Sequence, residues 1–465
     1  MRRRHSKSRR KVHHKSAKRL EPINPDAAGI DIGSAEHYVA VPPGRDPEGQ
    51  DVRHFKAFTA DLHHLAKWLK RCGITTVAME STSVYWIPLF ELLEAQGFCV
   101  FLVNPHSVKS APGRKTDVVD CQWLQQLHSY GLLRGAFRPE EKICVLRSYL
   151  RQRAMLFQSI NRAVQHMQKA LDQMNIKLHQ VLSDITGVTG MRILRCILEG
   201  ERVPETLAKL RNPRCKNDLQ TVADALQGNW RQEHLFSLRQ AIERFDFYRG
   251  QVADCDAAIE EYLKGFEDRS PKRSTSGKKN KVHKNSFLFD AHDYLLRLTG
   301  VDLTRIDGVD TVSALGIIGE IGVDMSRWPS EKKFGSWLGL SPGSKVSGGK
   351  QLNSRSKPSA NRAAYLFRMC ANSLHRSQSA IGAFLRRKKS QRGAPKAITA
   401  TAYKIARIFY NMLKYGGDYV DPGSDYYEKR YRQRMLANLK RKARHFGYNL
   451  VQETENTENM LQQPG

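Results

Sequence analysis

Acidic residues are scarce in this chain of 465 residues, which has 46 Asp and Glu against 76 Lys and Arg. The resulting formal charge of +30 favours a polyanionic partner, and nucleic acid is the usual one. A basic protein of the membrane surface is the alternative. However, the sequence has no lipidation signal and no amphipathic basic helix with a bulky aromatic face. We therefore expect a nucleic-acid partner and no membrane.

Long hydrophobic runs are also absent, so no membrane-spanning helix is expected. The first twenty residues carry six Arg, four Lys and no acid, and they lack the apolar core of a signal peptide. Residues 1–24 are expected to form a disordered basic arm that binds nucleic acid, the alternative being a solvated tail. The length indicates two or three domains.

Paired cysteines are a third absence. The eight cysteines are scattered, and no two have the spacing of metal ligands or of a redox pair. This argues against a disulfide framework and a zinc finger. It favours reduced, mostly buried thiols in a cytoplasmic protein.

Residues 25–138 show an α/β pattern that begins as an antiparallel meander and continues through crossovers. The predicted strands are Gly29–Gly33, His37–Val41, Val52–Phe58, Thr75–Met79 and Phe98–Val103. The predicted helices run from Asp61, as N-cap, to Arg71, from Val84 to Ala95, and onward from about Asp117.

Four acids stand at the ends of these elements. Asp31 lies between two isoleucines as a buried charge that needs a partner or a metal, and Glu80 directly follows a strand. Asp117 and Asp120 are three apart at a helix start, so they share one face. Mutual repulsion makes such a cluster costly unless a divalent cation offsets it, and oxygen ligands suit Mg²⁺ or Mn²⁺. Taken singly, each acid is better explained without a metal, Asp117 as a helix cap and Glu80 as an ordinary exposed acid.

The remainder of the chain is predicted to be mainly helical. Residues 139–268 contain two apolar seams with heptad spacing, typical of a long antiparallel helical arm, a dimerisation element or a plain bundle. Residues 269–286 are expected to be a basic linker. Residues 287–424 form a helical domain around a Gly/Ser-rich loop at 339–360. Residues 425–465 form a basic helix and a polar tail.

The acid motifs are GIDIGS at 29–34, MESTSVY at 79–85 and KTDVVD at 115–120. They resemble the acidic tetrad of the DEDD transposases of bacterial insertion sequences. That resemblance implies an N-terminal domain like the resolvase RuvC, with a ribonuclease H-like fold. It also implies a coiled-coil insertion, a mainly helical C-terminal transposase domain, and metal binding and catalysis by Asp31, Glu80, Asp117 and Asp120.

A second signature consists of FGSWLGLSP at 334–342, SKVSGGK at 344–350 and NRAAYL at 361–366. It is similar to the C-terminal domain of the same family, and the resemblance places the nucleophilic serine at Ser347. A hydroxyl is a weak nucleophile unless a base or metal activates it, so the acids and Ser347 would form a composite site. Ser341, Ser344, Ser354 and Ser356 are rival nucleophiles.

The resemblance further implies the partners. Members of the family cut and join DNA through a phosphoserine link. A structured non-coding bridge RNA guides them by pairing with target and donor double-stranded DNA. They act as tetramers, or dimers of dimers. A location in the bacterial cytoplasm at the nucleoid is expected. The candidate nucleic-acid contacts are Lys115, Lys345, Lys350, Arg362, Arg386, Arg387 and Lys388.

Two other functions fit the residues. One is a RuvC-like nuclease or junction resolvase that cuts DNA with metal-activated water, in which Ser347 is structural. The other is a non-catalytic nucleic-acid-binding protein that keeps the fold. Four clustered acids argue against the second, because a scaffold has no use for them.

Overall fold

The computed structural model describes residues 21–105, 116–270, 283–343, 345–348, 350–353, 356 and 361–451. The chain divides into two compact units, residues 1–138 and 139–465. The predicted basic arm lies mostly, and the predicted linker largely, outside the described residues. Among the residues that are described, no helix is long and apolar enough to cross a membrane.

The first unit is built on a five-stranded sheet of order β3-β2-β1-β4-β5. Its strands are β1 (Ala27–Ile32), β2 (Glu36–Ala40), β3 (Val52–Lys56), β4 (Thr76–Glu80) and β5 (Cys99–Val103). The first three strands are antiparallel, whereas β4 and β5 run parallel to β1. The predicted meander followed by crossovers is therefore confirmed.

Helices cover both faces of this sheet. They are α1 (Thr59–Arg71), α2 (Trp86–Ala95) and α3 (Asp117–Ser129). Ile30 and Val39 point toward α1 and α2 and join a buried cluster that includes Leu65 and Trp68. The opposite face of β1, marked by Gly29, packs against α3. The central strands β1 and β4 are thus largely buried on both sides, which explains their apolar sequences, whereas the edge strand β3 is partly exposed.

The start of α1 corrects one prediction. Asp61 is not the N-cap, because the helix begins two residues earlier and the extended residue before it is Phe58. Asp61 instead occupies the first turn, where a carboxylate stabilises the positive end of the helix dipole.

The second unit begins with two helices of 33 residues, α4 (Glu141–Gln173) and α9 (Gln232–Lys264). They pack antiparallel, since Lys142 contacts Tyr262 and Arg153 contacts Asp256. The short helices between them are α5 (Leu178–Val181), α6 (Val188–Leu198), α7 (Pro204–Lys209) and α8 (Leu219–Ala225). The two predicted seams bury each other within one chain, as the antiparallel-arm interpretation requires.

Where the structure describes the rest of the second unit, its regular elements are helices and one small hairpin. Its helices are α10 (Ala291–Thr299), α11 (Thr311–Ile321), α12 (Glu331–Trp337), α13 (Arg362–Asn372), α14 (Ala380–Arg392), α15 (Ala394–Tyr415) and α16 (Gly423–His445). The hairpin strands are β6 (Lys345–Ser347) and β7 (Lys350–Asn353). The predicted Gly/Ser-rich loop therefore contains β-structure, which pairs across its Gly-Gly turn.

The Gly and Pro residues at 393 and 395 predict a loop around the basic run at 386–389, and this prediction is wrong. The basic run, with Arg392, lies on α14, whose first turn is capped by the Ser379 hydroxyl. The Gly and Pro that suggested a loop instead separate two helices. Gly393 adopts a φ of 79°, and Pro395 stands in the first turn of α15, where a proline needs no N–H partner.

Candidate functional site

The centre of the candidate site is the shared end of β1 and β4. The two strands are parallel, with Ile30 opposite Met79, and Asp31 and Glu80 each follow one residue later. Neighbouring residues at the same register point to the same face of a sheet, so both carboxylates lie side by side on one face. Both residues are half-buried rather than fully buried, contrary to the expectation for Asp31.

Helix α3 brings the other two acids to this face. The amide of Gln125 donates to the Ala27 carbonyl (3.3 Å) near the start of β1, and α3 is closest to the strand at Gly29. A Cβ on that glycine would lie 2.4 Å from the Cys121 carbonyl oxygen. The helix therefore runs antiparallel to β1, and its first turn, with Asp117 and Asp120, lies toward Asp31.

The start of α3 is fixed by a local cap. The Thr116 hydroxyl accepts a hydrogen bond from the Val119 amide (3.3 Å), so the helix begins at Asp117. Asp117 is exposed, and Asp120 is half-buried one turn ahead of Leu124 in the core. Carboxylates in a first turn also stabilise the helix dipole. The same two acids thus favour the helix and face the sheet edge.

The electrostatics of two neighbouring side chains show that these charges share one region. The pKa of the Cys121 thiol is raised to about 12, mainly by burial, and the negative charges of Asp31 and Asp120 contribute to this rise. On β2, the charge of Glu36 is the main cause that raises the pKa of Tyr38, and Asp117 adds to it. Asp31 and Tyr38 face each other across β1 and β2.

The donor set suits a hard divalent cation, since all four side chains offer carboxylate oxygens. Their arrangement is open, because within the described ranges no group of three or more Asp, Glu, His or Cys residues forms a metal-holding cluster. Four like charges at one edge repel one another, and this repulsion keeps the four carboxylates apart when they are by themselves. The strands β1 and β4 and the helix α3 are therefore placed for a metal site, but among the described residues their four carboxylates are not gathered around one point.

The segment after Glu80, within the motif at 79–85, has an unusual backbone conformation that its sequence does not predict. Ser83 adopts a φ of 51°, a left-handed conformation that is uncommon for a residue with a side chain. Its carbonyl accepts a hydrogen bond from the Trp86 indole (3.2 Å), and Val84 and Tyr85 beside it are exposed. Strained backbone of this kind is concentrated at functional sites.

Ser347 lies in the second unit, at the end of β6. It pairs with Lys350 across a two-residue turn, in which Gly348 has a φ of 55° that glycine adopts without strain. Ser347 is exposed at this turn. Its rival Ser341 is half-buried, and its amide donates to the carbonyl of Gly335 in α12 (3.3 Å). Ser344 and Ser354 lie outside the described residues.

The predicted basic contacts differ in their surroundings. Lys115 and the side chains of Lys345 and Lys350 are not among the described parts of the structure. Arg362 is exposed at the first position of α13. The other three lie on α14 and are all engaged within the protein.

Arg386 donates to the Ser377 carbonyl. Arg387 pairs with Glu428 and lies 3.7 Å from the Tyr431 ring centroid. Lys388 contacts Gln391 (3.5 Å). Arg387 thus holds α14 to α16, and Arg386 ties α14 to the segment that precedes it, structural tasks that their sequence does not reveal.

Comparison with known protein families gives two matches. The DEDD-type transposase model for IS110 elements matches residues 28–176. The model for the transposase IS116/IS110/IS902 family matches residues 302–386. Together the two stretches cover half of the chain, and each contains one of the two sites described above. No curated protein matches the chain.

Proposed function

The chain belongs to the IS110 family of transposases, and from this premise we propose that it cuts and rejoins DNA through a covalent bond to Ser347. Membership makes it a DNA transposase, an enzyme whose substrate is DNA and whose DEDD domain uses divalent metal. The observation that carries the proposal is the convergence of three elements, β1, β4 and the first turn of α3, on one edge that bears four acids.

In the proposed reaction Asp31, Glu80, Asp117 and Asp120 hold Mg²⁺ or Mn²⁺ beside the DNA. The cation supplies charge stabilisation to the phosphodiester oxygens. The protein supplies the rigid part of the site: a parallel strand pair fixes two of the acids, and the capped start of α3 fixes the others. Because the backbone positions are fixed in this way, only the four side chains would have to rotate to reach the cation.

The Ser347 hydroxyl is proposed to attack the phosphorus of one phosphodiester. A bond forms between the serine oxygen and phosphorus, the bond to the leaving deoxyribose oxygen breaks, and the serine proton ends on that leaving hydroxyl. Attack by a second DNA hydroxyl on the phosphoserine reverses the exchange and releases the serine. One phosphodiester replaces another, so rejoining requires no nucleotide cofactor. The exposed position of Ser347 on a glycine turn supports access for a DNA strand.

The acids and the serine belong to different units of the chain, so the proposed site is composite. We propose that it assembles in a homotetramer in which the acids of one subunit meet Ser347 of another. The apolar seams of α4 and α9 do not supply the contacts for this assembly by themselves, since their buried residues already pack on each other within one chain.

We also propose that a structured non-coding RNA guides the enzyme to target and donor duplexes in the bacterial cytoplasm, at the nucleoid. The support is electrostatic. The net charge is +30, and α16 has no buried residue while carrying eight Lys or Arg between residues 426 and 445. A surface of this kind binds the phosphate backbone without reading bases, which leaves recognition to base pairing.

The test is a covalent adduct. Purified protein is incubated with its guide RNA, duplex DNA carrying the element end, and Mg²⁺, and the products are separated on a denaturing gel. We expect a DNA-linked protein band whose modified peptide contains Ser347. The band should disappear in Ser347→Ala, and it should persist in Ser341→Ala, the matched control on the neighbouring stretch.

Two results would count against this function. If Ser347→Ala cuts DNA at the wild-type rate and no adduct forms, the enzyme uses metal-activated water, as a RuvC-like nuclease does. If the adduct maps to another serine, the composite site is assigned to the wrong residue. Loss of the adduct in Asp31→Asn, with DNA binding retained, separates the acid site from simple DNA association.

A further inference from the structure

The sheet edge that bears Asp31, Glu80, Asp117 and Asp120 is called the acid edge. Its surface continues across the antiparallel strands β2 and β3. Asp31 on β1 pairs with Tyr38 on β2, and Tyr38 pairs with His54 on β3. Residues directly opposite each other in antiparallel strands project from the same face. Asp31, Tyr38 and His54 therefore form one row, and Glu80 lies beside Asp31 on the other side of β1.

A second pair on this face lies two residues farther along the strands. Glu36 and Lys56 face each other across β2 and β3, and each is two residues from a member of the first row. The Tyr38 hydroxyl donates to a Glu36 carboxylate oxygen (3.4 Å), and the rings of Tyr38 and His54 are 5.9 Å apart with an angle of 31°. Two adjoining rings and a lysine thus lie beside the candidate metal ligands.

The surface of these residues is open. His54 and Lys56 are exposed, Tyr38 and Glu36 are half-buried, and the alternate residues of β2 and β3 point to the opposite face. There Val39 is buried, and Phe55 packs on Trp68 of α1 with ring centroids 5.6 Å apart. Helix α3 packs over β1, β2 and β4. Polar and aromatic side chains on the outer strand of this face are not needed for the core.

We propose that Tyr38, His54 and Lys56 bind the DNA strand on one side of the phosphodiester that is cut. The inference rests on the proposed function, because it takes the acid edge as the place where the DNA reacts. Strands lie about 4.8 Å apart, so His54 is two spacings, about 10 Å, from Asp31. This equals roughly three base-pair steps along a duplex axis. A strand held at the acids therefore reaches this row.

The chemistry of the row matches a nucleic-acid strand. Lys56 supplies a positive charge for phosphate, and the Tyr38 and His54 rings supply flat surfaces for a sugar or an unpaired base. Glu36 opposes a phosphate, but its charge faces Lys56 across the strands, and it orients the Tyr38 hydroxyl. The occupant is the DNA and not the guide, because the row is continuous with the residues that act on DNA.

Photocrosslinking tests this placement directly. A benzoylphenylalanine is introduced at position 54, and at Lys67 as control, an exposed residue on α1 over the opposite face of the sheet. Both proteins carry Ser347→Ala, so that any covalent DNA arises from the photoprobe. The full-length protein is assembled with its guide RNA and a fluorescent duplex carrying the element end, and is then irradiated. We expect DNA crosslinks from position 54 and none from position 67.

A salt titration supplies a second measurement that does not depend on cleavage. Lys56→Ala should lower the slope of the logarithm of DNA affinity against the logarithm of salt by about 1, and Lys67→Ala should leave the slope unchanged. Crosslinks to the RNA in place of DNA, or equal crosslinks from both positions, would overturn the proposal. A further outcome is that the photoprobe at position 54 gives no crosslink while the protein with Ser347 intact still forms the serine adduct. That outcome would refute the proposed path of the DNA strand over Tyr38, His54 and Lys56, and not the proposed function.

Discussion

The close contact between α3 and β1 makes Gly29 the most sensitive position for the proposed acid site. A Cβ at this residue would lie 2.3 Å from the Gln125 amide nitrogen and 2.4 Å from the Cys121 carbonyl oxygen. Both are backbone atoms and cannot rotate away. In Gly29→Ala the helix must move outward by about 1 Å to reach ordinary contact, as close-packed interiors require. Asp117 and Asp120 move with it.

Two effects of different size follow from this shift. Overpacking of a core costs about 1–3 kcal/mol, which leaves most of a stable protein folded. A displacement of about 1 Å in catalytic groups lowers a rate by roughly 100-fold. We therefore expect Gly29→Ala to lose much more activity than folded protein. Gly135→Ala is the control, because its new Cβ would meet only the Phe101 side chain, at 3.4 Å and beyond.

The assay compares single-turnover DNA cleavage with the thermal unfolding of each variant. Gly135→Ala should match the wild type in both. If Gly29→Ala cleaves at the wild-type rate, or if its loss equals its unfolded fraction, then the approach of α3 does not position the acids and the reasoning fails.

Two further predictions concern stability. Arg153 and Asp256 form a buried ion pair between α4 and α9, and Arg153 also donates to the carbonyls of Asn285 and Ser286. Arg153→Met should destabilise the protein by about 3–5 kcal/mol in thermal unfolding, since Asp256 stays buried without its cation, whereas Asp246→Ala at the exposed pair with Arg195 should cost under about 1 kcal/mol. A small effect of Arg153→Met would contradict the buried-pair account. The second prediction concerns His128, which lies against Thr76 (2.8 Å) and whose pKa is lowered from 6.5 to about 4 by burial. Between pH 6.5 and about 4, only the unfolded chain takes up the proton. The free energy of unfolding should therefore fall by up to about 1.4 kcal/mol per pH unit as the pH is lowered below 6.5. In urea unfolding, the free energy of unfolding of His128→Gln should fall less steeply with decreasing pH than that of the wild type. Parallel pH curves for the two proteins would refute the assignment to His128.

Much of the fold follows from local sequence signals. The strands around Asp31 and Glu80 are apolar runs of the right length, and the heptad spacing of residues 157–178 and 238–262 predicts two packed helices, although the first helix ends at Gln173. Helix boundaries are less certain from sequence, as the early start of α1 shows. Gly and Pro near 393 indicate a break, but the sequence does not say that the break joins two helices without a loop.

The relations between distant elements are what the sequence leaves open. The row of Asp31, Tyr38 and His54 depends on the register of two strand pairs, and the register of β2 with β3 is set by the connection between these two strands. That connection folds around a buried aspartate, Asp46, which accepts two hydrogen bonds from Arg53 (2.6 and 3.0 Å). Nothing in the spacing of these residues predicts the pairing. The internal roles of Arg386 and Arg387 are hidden for the same reason, because their partners lie on other elements.

The central claim, that the acids at the shared end of β1 and β4 hold the metal used in cleavage, has a direct test in Asp31→Cys. A thiolate binds Mg²⁺ poorly but accepts softer cations. We expect this variant to lose cleavage in Mg²⁺ and to regain it in Mn²⁺ or Cd²⁺, and we expect Asp61→Cys on α1 to cleave normally in Mg²⁺. Full activity of Asp31→Cys in Mg²⁺, or no recovery with any softer cation, would contradict the claim.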